Sequence, residues 1–121
     1  MPTDQDPQLL KGVLSLLLLH LLAERESYGF EVVRRLHEMG LSDIAAGTVY
    51  PALSRLEREQ RLTSRLASSS EGPARKYYRP TRAGFLALAA GTAQWVALAD
   101  VVTQQLSRPL PTSQKGQWHV Q

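Results

Sequence analysis

The stretch Gly47-Thr48-Val49-Tyr50-Pro51-Ala52-Leu53-Ser54-Arg55-Leu56-Glu57-Arg58-Glu59-Gln60-Arg61-Leu62 decides the fold. At 100° per residue, Val49, Leu53 and Leu56 fall on one side of a helix, the spacing of a core-facing stripe. Pro51, Ser54, Arg55 and Arg58 fall on the other, flanked by Thr48 and Arg61. Pro51 has no amide N–H, which costs least in a first helical turn. The helix is therefore expected to start at Gly47 or Thr48, with Thr48 as its cap. A buried stripe backed by a basic, hydrogen-bonding face suits a helix laid in a DNA groove. An ordinary amphipathic surface helix is the alternative, and the segment that follows argues against it.

After Leu62 the period changes. Leu62-Thr63-Ser64-Arg65-Leu66-Ala67-Ser68 alternates loosely, Ser69-Ser70-Glu71-Gly72-Pro73 is turn chemistry, and Arg75-Lys76-Tyr77-Tyr78-Arg79 is a short aromatic, basic run stopped by Pro80. This is a β-hairpin, with Tyr77 or Tyr78 in the core and Arg75, Lys76 and Arg79 free to meet phosphates. A merely solvated hairpin is the alternative. The charge distribution favours the first reading. Residues 48–82 hold eight Lys and Arg against three Glu, a net of +5, while the rest holds six basic residues against eight acids, a net of −2. Concentrated positive charge favours a polyanionic partner.

Upstream, Gln8 to about Ala23 is helical in pattern and apolar on nearly every side. Such a helix must be covered all round, by its own subunit or by a second one. Ser27 is a good N-cap for a helix from Tyr28 to Met39. Tyr28, Gly29, Val32, Leu36 and Met39 share its inner face, with Val33 beside them; Arg34, Arg35, His37 and Glu38 point outward. Phe30 lies almost opposite the stripe and has no cover within the helix. Gly40 suits the C′ position, and Ile44 packs inward to anchor the connection from Leu41 to Ala46. Helix, helix, basic helix and basic hairpin form the order of a winged helix-turn-helix.

Thr81 can cap a long last helix, about Arg82 to Leu106. Phe85, Leu88, Thr92, Trp95, Ala99, Val102 and Leu106 form a heptad-like seam along it, and small residues from Ala83 to Ala93 permit close approach. At ~37 Å it overhangs a small core, which favours a homodimer over an arm folded back on its own subunit. The expected organisation is a flexible arm over 1–7, a winged helix-turn-helix domain over 8–81, a dimerisation helix over 82–106 and a flexible tail over 107–121 that contains Trp118. The fold class is mainly α with a small β-hairpin.

Hydrophobic residues at 43% and charged residues at 21% describe an ordinary soluble domain, and 121 residues suffice for one. The run Leu14 to Leu22 is too short to span a bilayer, and only Lys11 is basic before it, so no membrane or export segment is expected there and a cytoplasmic location is. No cofactor or metal is expected. Cysteine is absent, and His20, His37 and His119 show no ligand spacing. No serine has a recognisable base and orienting acid, so an enzyme is disfavoured.

The pattern resembles the PadR-like family of winged-helix transcriptional regulators, in its compact branch with a single C-terminal dimerisation helix. Four pieces carry the resemblance: Tyr28-Gly29-Phe30-Glu31, Gly47-Thr48-Val49-Tyr50-Pro51-Ala52-Leu53, Arg55-Leu56-Glu57, and Arg75-Lys76-Tyr77-Tyr78 followed by Thr81 and Gly84. Ala45 and Ala46 stand where a family member often has a serine. The resemblance implies a homodimer that binds double-stranded DNA, with an inverted repeat as the expected site, and usually represses. DNA would be met by Tyr28, Thr48, Tyr50, Pro51, Ser54, Arg55, Arg58, Arg75, Lys76 and Arg79. The dimer interface would use Leu10, Leu17, Phe85, Leu88, Thr92, Trp95, Val102 and Leu106. Some members bind planar hydrophobic effectors near a tryptophan that Trp95 matches, which would place Trp95, Ala99, Leu9 and Val13 at a ligand site. The rival class is a winged-helix protein-interaction module without DNA binding.

Overall fold

The computed structural model describes residues 7–111; the arm before Pro7, the end of the tail, Trp118 and His119 lie outside them. The elements are α1 (Pro7–Lys11), α2 (Leu14–Glu24), β1 (Ser27–Tyr28), α3 (Gly29–Glu38), α4 (Ala46–Arg58), β2 (Leu62–Ser69), β3 (Gly72–Pro80) and α5 (Arg82–Leu106). Two compact units result, one reaching to Gly91 and one starting at Thr92.

The expected first helix is broken in two. Gly12 lacks the backbone restraint a helix favours, and Val13 donates to Leu10 O at 3.0 Å in a tight turn before α2 resumes. Leu14, Leu18, Leu19, Leu21 and Leu22 are buried, so α2 is covered within its own unit on most sides. They pack with Val32, Leu36, Val49, Leu53, Leu56, Leu62 and Tyr78 into one core.

Ser27 does not cap α3. It sits in β1, paired with Tyr78 of β3, and α3 begins after Tyr28 without a side-chain cap. Arg35 also departs from expectation: it is buried at 8% exposure. Its Nη1 donates to Ser27 Oγ at 3.0 Å and to the Arg25 carbonyl at 3.4 Å, while Nη2 pairs with Glu24 at 3.1 Å. A charge so enclosed and hydrogen-bonded can face a core. Met39 is exposed instead, because α3 ends at Glu38. Gly40 has φ +115° at C′, and Leu41 N donates to Leu36 O at 3.0 Å, closing a Schellman turn. Ile44 is buried, and its carbonyl accepts from His37 Nε2 at 2.7 Å.

Helix α4 starts at Ala46, one to two residues earlier than expected, after an extended Ala45 that offers no cap. Thr48 therefore lies within the first turn and is not the cap; Pro51 stands inside the helix, where no N–H reaches back to Gly47. The helix stops at Arg58, short of Leu62. Gln60 takes φ +63°, and Arg61 N donates to Leu56 O at 2.9 Å, a second Schellman turn made without glycine.

The sheet has the order β1-β3-β2, all antiparallel, with Leu62 opposite Pro80 and Arg65 opposite Tyr77. Thr81 Oγ1 accepts from Gly84 N at 3.0 Å and donates to Gln60 O at 2.6 Å, so the expected cap of α5 also ties it to the end of α4. Gly84 is buried against the Arg61 carbonyl; a Cβ there would lie 2.0 Å from that oxygen. From Thr92 to Leu106 the helix is largely exposed, with Val96, Leu98, Val101 and Leu106 uncovered. It is α5, and not the leucine run of α2, that is long and apolar enough to cross a membrane, with a mean hydropathy of 1.6 over 18 residues.

Candidate nucleic-acid interface

Helix α4 runs between two hollows, and the expected DNA-binding residues divide between them. On the wing side, a notch of about 380 Å³ is lined by Tyr28, Gly29, Phe30, Tyr50, Ser54, Arg75, Lys76 and Tyr78. On the α1 side, a hollow of about 570 Å³ includes Thr48, Pro51, Arg55 and Arg58. Arg79 lines neither. It is exposed on β3, and its charge reaches Glu26.

The notch is built from aromatic contacts. The Tyr50 ring lies over Gly29, where a Cβ would come within 2.7 Å of Tyr50 Cε1. Gly29 thus lets the first residue of α3 and the second turn of α4 approach, and it leaves Tyr50 standing half out of the surface. Tyr28 meets Tyr77 edge-on, centroids 5.4 Å apart. The Arg75 guanidinium sits 4.5 Å from the Tyr28 ring centre. Stacking holds that cation in place without neutralising it. Phe30 is 61% exposed at the rim of this notch. Its lack of cover was visible in the sequence, yet it was not among the expected contacts.

Two of the basic side chains in the hairpin are engaged by acids. Lys76 Nζ pairs with Glu57 Oε1 of α4 at 2.9 Å, and Ser64 Oγ donates to Glu57 Oε2 at 2.5 Å. The Ser64 hydrogen bond, then the Lys76 ammonium, holds the Glu57 carboxyl below its usual range; the Glu57 hydrogen bond raises Lys76. Arg65 pairs with Glu26, which lowers Glu26 and raises Arg65. Arg55 donates to Ser15 Oγ of α2 at 3.2 Å. Arg58 and Arg75 make no ion pair among the described residues.

Of the residues expected at a ligand site or dimer seam, Leu10, Val13, Leu17 and Leu88 are half-buried and Leu9 is exposed in the first unit, with Phe85 exposed at the start of α5. In the second unit Trp95 is 47% exposed, Ala99 half-buried, and Thr92, Val102 and Leu106 exposed.

Residues 18–90 match the model of the transcriptional regulator PadR-like family. A PadR-like transcriptional regulator from Bacillus cereus is 33% identical, with 84% of this chain and 99% of that one covered and a TM-score of 0.77. A PadR family transcriptional regulator from Eggerthella lenta is 36% identical, with 84% and 88% covered and a TM-score of 0.76. A Streptococcus transcriptional regulator is 35% identical, with 84% and 100% covered and a TM-score of 0.76. With its winged helix and its α4–wing notch, the chain belongs to the PadR-like family, whose members are DNA-binding transcriptional regulators and not enzymes.

Proposed function

We propose that this chain is a homodimeric, sequence-specific repressor that grips an inverted repeat of duplex DNA and is released by a planar hydrophobic ligand. The observation that carries the DNA-binding half is the flanking of α4 by cations on both sides: Arg75 and Lys76 at the wing notch, Arg55 and Arg58 at the opposite hollow. A helix in a major groove has a phosphate backbone on each side of it. Tyr50 and Ser54 line the notch and Thr48 and Pro51 the opposite hollow, and this is the set assigned to base edges and the nearby backbone. Arg79 extends the phosphate contact along β3.

Dimerisation is supported by the uncovered apolar surface of α5. Trp95, Val102 and Leu106 repeat at heptad-like spacing along α5, and together with Phe85, Leu88 and Thr92 they form a seam for a second copy to cover; Leu10 and Leu17 are assigned to the same dimer interface. The ligand site is assigned to this seam: Trp95 and Ala99 with Leu9 and Val13. A ligand there weakens DNA binding only by favouring a spacing of the two winged units that does not match the operator.

The test is fluorescence anisotropy of labelled duplex, either the region upstream of the gene or random sequence, at several salt concentrations. Specific binding tighter than random, with a steep salt dependence, supports the reading. Binding to neither duplex at low salt leaves the protein-interaction module.

A further inference from the structure

The hollow on the α1 side of α4 encloses about 570 Å³, within the roughly 300–1,000 Å³ typical of small-molecule sites. Its floor is aliphatic: Leu14, Ile44 and Ala52 are buried there and Leu41 half-buried, and among the described residues no aromatic ring lines it. Among the described residues its rim carries Lys11, Arg55 and Arg58 against one carboxylate, Asp43. Neither Lys11 nor Arg58 makes an ion pair among the described residues, and Arg55 reaches a hydroxyl, Ser15, rather than an acid.

We propose that this hollow is a second ligand site, and that its ligand is an aliphatic carboxylate of the medium-chain fatty-acid class. Two features select that chemistry. Three rim cations facing one acid call for an anionic headgroup, which an uncharged hydrocarbon lacks. A floor of leucine, isoleucine and alanine suits a flexible chain, since it offers a flat molecule no ring to stack on. The site lies in the first unit and borders the proposed dimer interface at Leu10, but none of Trp95, Ala99, Leu9 and Val13 lines it, and it differs from that site in ligand shape.

The position also gives the ligand an effect. Thr48, Pro51, Arg55 and Arg58 line this hollow and also belong to the proposed DNA face. A bound carboxylate and a DNA phosphate would compete for the same guanidinium groups, so each excludes the other. This regulatory half rests on the DNA-binding reading above; the binding half does not.

The two halves separate in one set of experiments on the full chain. Decanoate below its micelle concentration is titrated calorimetrically without DNA, beside the uncharged decanol. Saturable binding of one decanoate per chain is expected, with decanol weaker by about tenfold or more, the loss of a charge-assisted hydrogen bond. Ala52→Leu fills the floor and should abolish binding; if that variant does not fold, Leu41→Gln serves. A diazirine-bearing decanoate photolysed on the unsubstituted protein should crosslink to α1, to 41–45 and to α4. No saturable binding, equal binding of decanol, or crosslinks confined to α5 beyond Thr92 overturns the site. In a separate arm decanoate should displace labelled duplex. Crosslinking at the hollow with no displacement would keep the site and overturn the competition, and with it the DNA-facing role of Arg55 and Arg58.

Discussion

Lys76 Nζ lies 2.9 Å from Glu57 Oε1, so a wing cation is tied to the recognition helix. The pair joins β3 to α4 beside the face assigned to DNA. It also means that Arg75 and Lys76 are not equivalent. Arg75 is held by stacking on Tyr28 and keeps its charge available; Lys76 must leave Glu57 to reach a phosphate.

Arg75→Ala should therefore weaken specific and random duplex alike. It should reduce the slope of log K against log salt by about 0.9, the share of one phosphate contact. Lys76→Ala should reduce it by less. Glu57→Gln should raise the slope and tighten random duplex more than specific, because Lys76 is released. Anisotropy titrations over a salt series read all three; an unchanged slope in Arg75→Ala would remove the wing from the interface.

The same pair predicts a pH dependence. Glu57 has its folded pKa lowered by Ser64 and Lys76, so it stabilises the fold above the ordinary carboxylate range of about 4.3. That contribution is lost as pH falls through the lowered folded value. Lys76, raised by Glu57, keeps its share below its ordinary value and loses it as pH rises through the raised one. The stability difference between unsubstituted protein and Glu57→Gln, from urea unfolding, should be constant near neutrality and shrink on acidification. A difference independent of pH down to 3 would show that the ion pair does not form in solution.

Two backbone positions should respond in opposite directions. Gln60 adopts a left-handed φ of +63°, so Gln60→Gly should stabilise by about 0.5–1 kcal/mol. Gly84 has no room for a methyl group against the Arg61 carbonyl, so Gly84→Ala should destabilise by about 1–3 kcal/mol. Thermal unfolding of the two variants measures both. Equal melting of Gly84→Ala would mean that α5 does not seat against the end of α4.

Much of this was readable in advance, for identifiable reasons. Pro80 and Thr81 are local signals, and the start of α5 follows from them. The start of α4 is not legible in the sequence because Ala45 and Ala46 offer no capping side chain, whereas Thr48 carries a capping hydroxyl. Ser27 carries a cap signal, yet β1 exists only through its pairing with Tyr78, a contact no local pattern reveals. Arg35 falls on the inner stripe by spacing, but its charge argues for an outward position; the partners that permit its burial, Glu24 and Ser27, come from other elements. At the site, the motif residues Tyr28, Tyr50, Ser54, Arg75 and Lys76 do converge. The Glu57 clip and the separate hollow holding Arg55 and Arg58 depend on three-dimensional placement and were not legible.

Trp95 separates packing from ligand binding. If it only fills a dimer core, Trp95→Ala should cost about 3–5 kcal/mol. As a wall of the proposed seam site it should cost less and abolish quenching of its fluorescence by planar hydrophobic dyes. Trp118→Phe serves as background to isolate the signal. No quenching by any such dye, with a large drop in melting temperature, would leave Trp95 a packing role only.

Sedimentation of the full chain with a duplex carrying an inverted repeat from upstream of its own gene tests the central claim most directly. The account predicts a stable dimer at micromolar concentration, two chains bound per repeat, and loss of preference over random duplex in Ser54→Ala or Tyr50→Ala with non-specific affinity retained. A well-folded monomer, or a dimer that binds the repeat and random duplex equally, would contradict it.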